Sequence, residues 1–436
     1  MARKQSSTIY YQGKTHKEIY YQGHYHDKMY LGGQLIWEKL EDLSKYIWEV
    51  VHTSYSETSL PVQRWTSIAN DVYVAAIFRK TERNSGSRSS GYYIGKWIPD
   101  NRQMKLVKKI SSIYNRLESM YATEYGLIID YYQSKTAKTI LSIIRYDIDN
   151  DSEIKKIENG DIAKETTIYR KFSNEICILC SDGIIQLSHG GLSVVGDPVI
   201  VKKDFDGNTI ETQTFKTGFK AISHNVMLLN GKYVTIGCTT QTVKNGNGYE
   251  IKEYKLSING EDSFGDWMDY YYASMDYSCI VNNTIYWVMR YRYSTDTGKL
   301  HHEYSNYFIY SCNGVSIQKL KDLGNIQCGQ ICYVAGTFLC FAAAGLYDKT
   351  YECFWIGKTV ESMEKIEYKN PNSNLFNRFD CPATDGKYIY IPFYTQQLYG
   401  NINPAPVIGE KALKLDLKSY EIIEEVKIEI VNNFEN

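Results

Sequence analysis

Asn70 followed by Val72-Tyr73-Val74-Ala75-Ala76-Ile77 is the first copy of the pattern that decides the fold. A small polar turn leads into a run of β-branched and aromatic residues, the reading for a strand buried on both faces. Later copies start at Glu124 (Leu127-Ile128-Ile129-Asp130-Tyr131), Asn174 (Ile176-Cys177-Ile178-Leu179) and Asn230-Gly231 (Tyr233-Val234-Thr235-Ile236). Three more start at Asn282-Asn283 (Ile285-Tyr286-Trp287-Val288), Ala335-Gly336 (Phe338-Leu339-Cys340-Phe341) and Asp385-Gly386 (Tyr388-Ile389-Tyr390-Ile391). The starts are 54, 50, 56, 52, 53 and 50 residues apart, a spread small enough for a structural period.

A second turn follows each run: Pro99-Asp100-Asn101, Asp149-Asn150-Asp151, Asp206-Gly207-Asn208, Asn259-Gly260, Asn313-Gly314, Lys358-Thr359 and Lys418-Ser419. Asn-Gly and Asp-Gly supply the positive φ angles of tight hairpins. An apolar inner strand followed by a half-exposed outer hairpin, repeated seven times, predicts an all-β fold, a seven-bladed β-propeller over residues 41–436. A linear solenoid would need capping repeats with polar outer faces, and none is visible. Ring closure predicts that Ile47 to Val51, or else Arg64 to Ile68, joins the last blade.

Residues 1–40 read as a separate unit. Ile9-Tyr10-Tyr11-Gln12-Gly13, Ile19-Tyr20-Tyr21-Gln22-Gly23 and Met29-Tyr30-Leu31-Gly32-Gly33 recur every ten residues, and the last runs on to Leu35-Ile36-Trp37. This predicts a small β-meander with too little core to stand alone. Tyr10, Tyr11, Tyr20, Tyr21, Tyr30 and Trp37 are its candidate attachment or oligomerisation residues.

The 436 residues carry 49 Lys and Arg against 50 Asp and Glu, which gives no footprint for nucleic acid. No apolar run reaches about 18 residues, and Met1-Ala2-Arg3-Lys4 opens no secretion signal, so neither membrane insertion nor signal-peptide export is expected. Forty tyrosines agree with β-rich structure.

Motifs with chemistry are few. There is no phosphate loop, nucleophile elbow or His-Glu-x-x-His pattern. Cys177 and Cys180 sit three apart on a predicted strand and so point to opposite faces. Asp147, Asp149, Asp151 and Glu158 have calcium-loop spacing, but Ser152 stands where the sharp turn needs Gly. No catalytic residue, metal or cofactor is expected, and the chain is read as not an enzyme. The most suggestive surface is aromatic: Trp267, Tyr270, Tyr271 and Tyr272, then Trp287, Arg290, Tyr291, Arg292 and Tyr293. Such rings beside Arg suit a sugar or a protein partner. The alternative is that they fill the space between blades.

The N-terminal repeats, through Gln34-Leu35-Ile36-Trp37-Glu38, resemble short segments near the start of tail and baseplate proteins. Those proteins belong to phages and phage-like particles of Gram-positive bacteria. The resemblance covers about forty residues and implies a virion structural protein, assembled in the bacterial cytoplasm and released by lysis. It implies an oligomer in contact with other tail or baseplate subunits, and the N-terminal segment is read as the part that attaches or trimerises. The propeller would bind those partners or a host cell-wall glycan; a glycosidase or lyase on the same scaffold is the alternative.

Overall fold

The structure is a computed structural model. Apart from short connections, it describes the strands within residues 9–38 and residues 46–50, 63–157, 177–188, 199–342, 352–397 and 407–428. Asp147 to Asp151 and Glu158, the calcium-like string, lie outside the described residues.

Among the described residues, seven antiparallel sheets of four or five strands follow one another along the chain, each built from its own segment. The first runs from Tyr46–Val50 to Gln103–Ser112, the second from Asn115–Ala122 to Ile154–Ile157, and the third from Cys177–Leu179 to Thr209–Thr214. The fourth spans Lys220–Leu229 to Asp262–Met268, the fifth Tyr270–Val281 to Ile317–Gly324, and the sixth Cys328–Val334 to Glu364–Glu367. The seventh ends with Ile422–Val426. The fold is an all-β propeller built from these sheets. Each of the seven later turns in the sequence falls between the third and fourth strands of its sheet.

The cores lie between sheets, which explains the apolar runs. Ile285, Trp287 and Met289 join Val234, Ile236 and Leu256 in a core between the fourth and fifth sheets. Val288, one position out of phase, enters the next core with Ile331, Phe338 and Cys340 of the sixth sheet. Leu339 and Phe341 then turn to the seventh sheet, against Ile389 and Ile391. A strand whose alternating faces both meet neighbours must be apolar throughout. Its turns carry the chirality: Asn282 and Asn283 take φ of 48° and 57°, which lets two residues reverse the strand between Val281 and Thr284.

Two expectations about strand position are corrected. The apolar runs are the second strands of their sheets rather than the innermost, except Ile176 to Leu179, where Cys177–Leu179 is the first strand and Ile184–Ser188 the second. First strands of neighbouring sheets pack on one another, as Arg64–Ile68 does on Asn115–Ala122 and Tyr270–Val281 on Cys328–Val334. That contact places the first strands nearest the axis. The first strands are the more polar in sequence, as Arg64-Trp65-Thr66-Ser67-Ile68 shows beside Val72-Tyr73-Val74-Ala75-Ala76.

Ring closure also differs. Tyr46–Val50 and Arg64–Ile68 both pair with Asp71–Glu82 of the first sheet, and neither joins the last. Among the described residues, the first and last sheets share no strand and meet through side-chain packing. Trp65 stacks on Tyr390 of the seventh sheet at 6.0 Å between centroids and lies 5.6 Å from Trp97. Val72, Val74, Ala383, Ala412 and Val426 complete that core. Gly386, at φ +84°, turns so close to Asn70 that an added Cβ would stand 2.8 Å from its Cγ. Only glycine fits this turn of the seventh sheet against the first.

The N-terminal meander resolves into three separate two-stranded hairpins: Ile9–Tyr11 with Lys14–His16, Ile19–Tyr21 with His24–His26, and Lys28–Leu31 with Gln34–Glu38. The polar spacers are themselves strands. Pairing of Tyr11 with Lys14, Tyr21 with His24 and Leu31 with Gln34 leaves two residues per turn.

Candidate functional site

Among the described residues, a break in the first strand recurs in six of the seven sheets. In the second sheet the register slips between Leu117 and Ser119, in the fourth between Ala221 and Val226, in the fifth between Ser274 and Cys279, and in the sixth between Cys328 and Gln330. The inner strands of the first and seventh sheets are each divided into two pieces at the same place. The breaks lie opposite Ala75 to Phe78, Asp130 to Tyr131, Thr235 to Gly237, Tyr286 to Val288, Phe341 to Ala342 and Tyr390 to Phe393. These are equivalent levels of six second strands. A bulge bends its strand and frees ladder groups for other partners, a habit of barrel rims and active sites.

Where the sixth, seventh and first sheets converge, the side chains at this belt are described. Arg64, 7% exposed, holds Asp380 Oδ2 through Nη1 at 3.0 Å, and the same Nη1 donates to the Gln63 carbonyl at 3.2 Å. Asp380 Oδ1 accepts the Cys381 amide at 2.8 Å, while its own amide donates to the Pro392 carbonyl at 2.9 Å. Gln330 of the sixth sheet donates its carboxamide to the Cys381 sulfur. Burial pushes the Cys381 thiol and the neighbouring Tyr394 phenol upward, with Asp380 adding to both. A protonated thiol is a poor nucleophile, and the Arg64 charge is committed to Asp380. This part of the belt clasps the ring shut; among the described residues it assembles no nucleophile with a base.

The aromatic residues singled out in the sequence fall on the fifth sheet and the end of the fourth. Pairing brings Tyr270 opposite Arg292, Tyr271 opposite Tyr291 and Tyr272 opposite Arg290, so the two clusters form one strand end. Tyr293 follows at a register shift in the pairing with Leu300–Cys312. Trp267 is 40% exposed, with the Lys255 ammonium 5.8 Å from its ring. Trp287 is different. Fully buried and stacked on Tyr310 at 5.6 Å, it belongs to the core and not to a ligand platform. Its neighbours Ile285 and Met289, on the same face of the strand, gave the signal. Tyr10, Tyr11, Tyr20, Tyr21, Tyr30 and Trp37 all lie in hairpin strands. Sequence reading missed Arg64 and Asp380, which are 316 positions apart and carry no local pattern.

No family model matches the chain, and no curated protein matches it in sequence. Solved structures align with most of its length. The β-propeller domain of the Trilobed protease from Pyrococcus furiosus, described as having an open velcro topology, aligns over 89% of this chain and 100% of its own, at 8% identity and TM-score 0.42. A lignostilbene dioxygenase from Pseudomonas brassicacearum aligns over 87% and 91%, at 9% identity and TM-score 0.37. A quinonprotein alcohol dehydrogenase-like protein from Bacteroides thetaiotaomicron aligns over 87% and 88%, at 10% identity and TM-score 0.37. These neighbours carry mostly the names of enzymes, so the expectation that the chain is not an enzyme is withdrawn: propellers of this kind serve enzymes too. At such identities the likeness is one of fold, and their reactions remain their own.

Proposed function

We propose that the chain is a structural, receptor-binding subunit of a phage tail or tail-like particle. Its N-terminal hairpins attach it to like copies or to other tail subunits, and its propeller presents a face to those partners or to a cell-surface glycan. One observation carries the reading. Three two-stranded hairpins, repeated every ten residues, precede a ring that builds its first sheet without them. A lone hairpin is marginal in water and leaves both edges unpaired, so three in tandem call for neighbours that supply the missing strands. In a particle, many copies make weak single-site adsorption effective.

Sedimentation of the full chain tests this. Gly13→Val, Gly23→Val and Gly33→Val together replace the glycine between the paired strands of each hairpin with a β-branched residue, which two-residue turns disfavour. The wild type sediments as an oligomer and the triple variant as a monomer with unchanged circular dichroism of the sheets. A wild type that stays monomeric over a wide concentration range, and does not adsorb to Gram-positive cells, overturns the proposal. Soluble sugar released from cell walls would assign the chain to the carbohydrate-active enzymes instead.

A further inference from the structure

A groove of about 380 Å³ opens between the fifth and sixth sheets, at the opposite end of the fifth sheet from Tyr270 and Arg292. Its volume falls in the lower part of the range of small-ligand sites, about 300–1,000 Å³. Its walls are polar but nearly uncharged. Thr284, Ser311 and Ser316 bring hydroxyls, Asn313 and Gln318 bring carboxamides, and Glu361 is the one ionisable carboxylate among the lining residues. No lysine or arginine lines it. Two rings are among the lining residues: Tyr286 and Phe338 meet edge to face at 4.8 Å, and Tyr333 lies 4.8 Å from Phe338.

The lining is built rather than incidental. Asn313 Oδ1 accepts the amides of Val315 at 3.0 Å and Ser316 at 2.9 Å, fixing the hairpin at the lip. That turn occupies the oxygen and does not use the Nδ2 donor. On the facing lip Thr359 and Ser362 exchange four hydrogen bonds of 3.0 to 3.2 Å, and the Glu361 carbonyl accepts from Lys321 at 3.1 Å. Burial raises the Tyr286 phenol, helped by Cys279 and Glu361.

We propose that this groove binds a neutral sugar, of monosaccharide to disaccharide size, of a surface glycan. Hydroxyls and carboxamides, each able to donate and accept, match the mixed donors and acceptors of a pyranose ring. The half-buried Tyr286 ring, braced edge to face by Phe338, offers an apolar contact for the C–H face of that ring. Glu361 is the one charged side chain in the lining and opposes uronates and phosphosugars, while the nearby Lys321 ammonium is engaged by the Glu361 carbonyl at 3.1 Å. The inference gives a place and a ligand class to the glycan-binding arm of the particle reading, and rests on that arm alone.

Calorimetry of the full chain with N,N′-diacetylchitobiose, cellobiose, lactose and a glucuronate disaccharide tests it. At least one neutral disaccharide binds and the uronate does not. Asn313→Asp keeps the turn acceptor but removes the Nδ2 donor, and it weakens neutral binding about tenfold without moving the urea midpoint. Glu361→Gln admits the uronate and leaves neutral binding within about twofold. Preference for the uronate by the wild type, indifference to Asn313→Asp, or no binding of any of the four sugars overturns the inference. Oligomerisation through the hairpins is read separately by sedimentation, so either proposal fails without the other.

Discussion

Asp380→Asn strikes the joint where the first and last sheets meet without sharing a strand. The substitution keeps the volume and the acceptor for the Cys381 amide, and it removes the charge that faces Arg64 at 3.0 Å. At that distance and an effective dielectric constant of about 20, the attraction is about 5 kcal/mol before desolvation is counted. Arg64 cannot shed its proton and is 7% exposed, so its charge stays buried once the partner is neutral. Breaking a buried pair from one side costs about 3–5 kcal/mol, and the 18% exposure of Asp380 puts this case near about 3 kcal/mol. Arg64→Met together with Asp380→Asn removes both charges and should recover most of that loss, leaving about 1 kcal/mol. Urea unfolding gives the cost, and hydrogen exchange gives its location. Amides of Arg64–Ile68 and Leu375–Phe379 lose protection first in the single variant, while those of Thr337–Ala342 in the sixth sheet keep theirs. A cost below about 0.5 kcal/mol, additivity of the two substitutions, or a uniform loss of protection would refute the view that this pair closes the ring.

The lysines beside Glu367 make a pH prediction. Lys365 and Lys369, at 2.8 and 2.9 Å, hold its carboxyl down to about 2, so its contribution is present above the ordinary glutamate range and disappears as pH falls toward 2. Wild type and Glu367→Gln should therefore differ in urea midpoint at pH 6, converge at pH 2, and differ less at 1 M salt; a gap that persists at pH 2 contradicts it. The buried thiols make another. Cys353, pushed up to about 11 by burial, and the fully buried Cys238 and Cys340 should resist iodoacetamide at pH 8 in the native protein and react in urea, as read by peptide mass spectrometry; native labelling of Cys340 would show that the core between the fifth and sixth sheets opens readily.

The repeat was legible because its punctuation is chemical. Asn-Gly and Asn-Asn turns demand positive φ, and second strands must be apolar on both faces, so each run announces itself without reference to its neighbours. The inner strands gave no such signal. Ala221 to Val226 passes through Ser223, His224 and Asn225 across a register slip, which destroys the period of two. The third copy was read one strand early because both of its first two strands are short apolar runs; Asp182-Gly183, between Leu179 and Ile184, was the turn to follow. Closure was illegible for a different reason. Ile47 and Arg64 stand in good strand patterns, but which strand they pair with is a non-local choice. The groove combines both difficulties, since Thr284, Gln318, Phe338 and Thr359 come from two sheets and none is an unusual residue for its strand or turn.

Attachment and closure use different parts of the first sheet, and the topology keeps them apart. The hairpins end at Glu38, and the chain next enters a sheet at Tyr46–Val50, which pairs with Phe78 to Glu82. The clasp lies beyond the gap in the same inner strand, at Arg64, opposite Ala75. A pull on the hairpins is therefore taken up by a ladder inside the first sheet, with the bonds of five register pairs loaded along the strand, and not by the side chains of the seam. Were the ring closed by strand exchange, the N-terminal strand would sit in the last sheet and every load on the attachment would test the closure. The separation has a measurable consequence. Asp380→Asn should lower the urea midpoint and leave the sedimenting species unchanged, whereas the triple turn variant at Gly13, Gly23 and Gly33 should dissociate the oligomer and leave the midpoint in place at dilutions where the wild type is also monomeric. If Asp380→Asn also dissociates the oligomer, the seam takes part in assembly, and the hairpins are not the sole point of attachment.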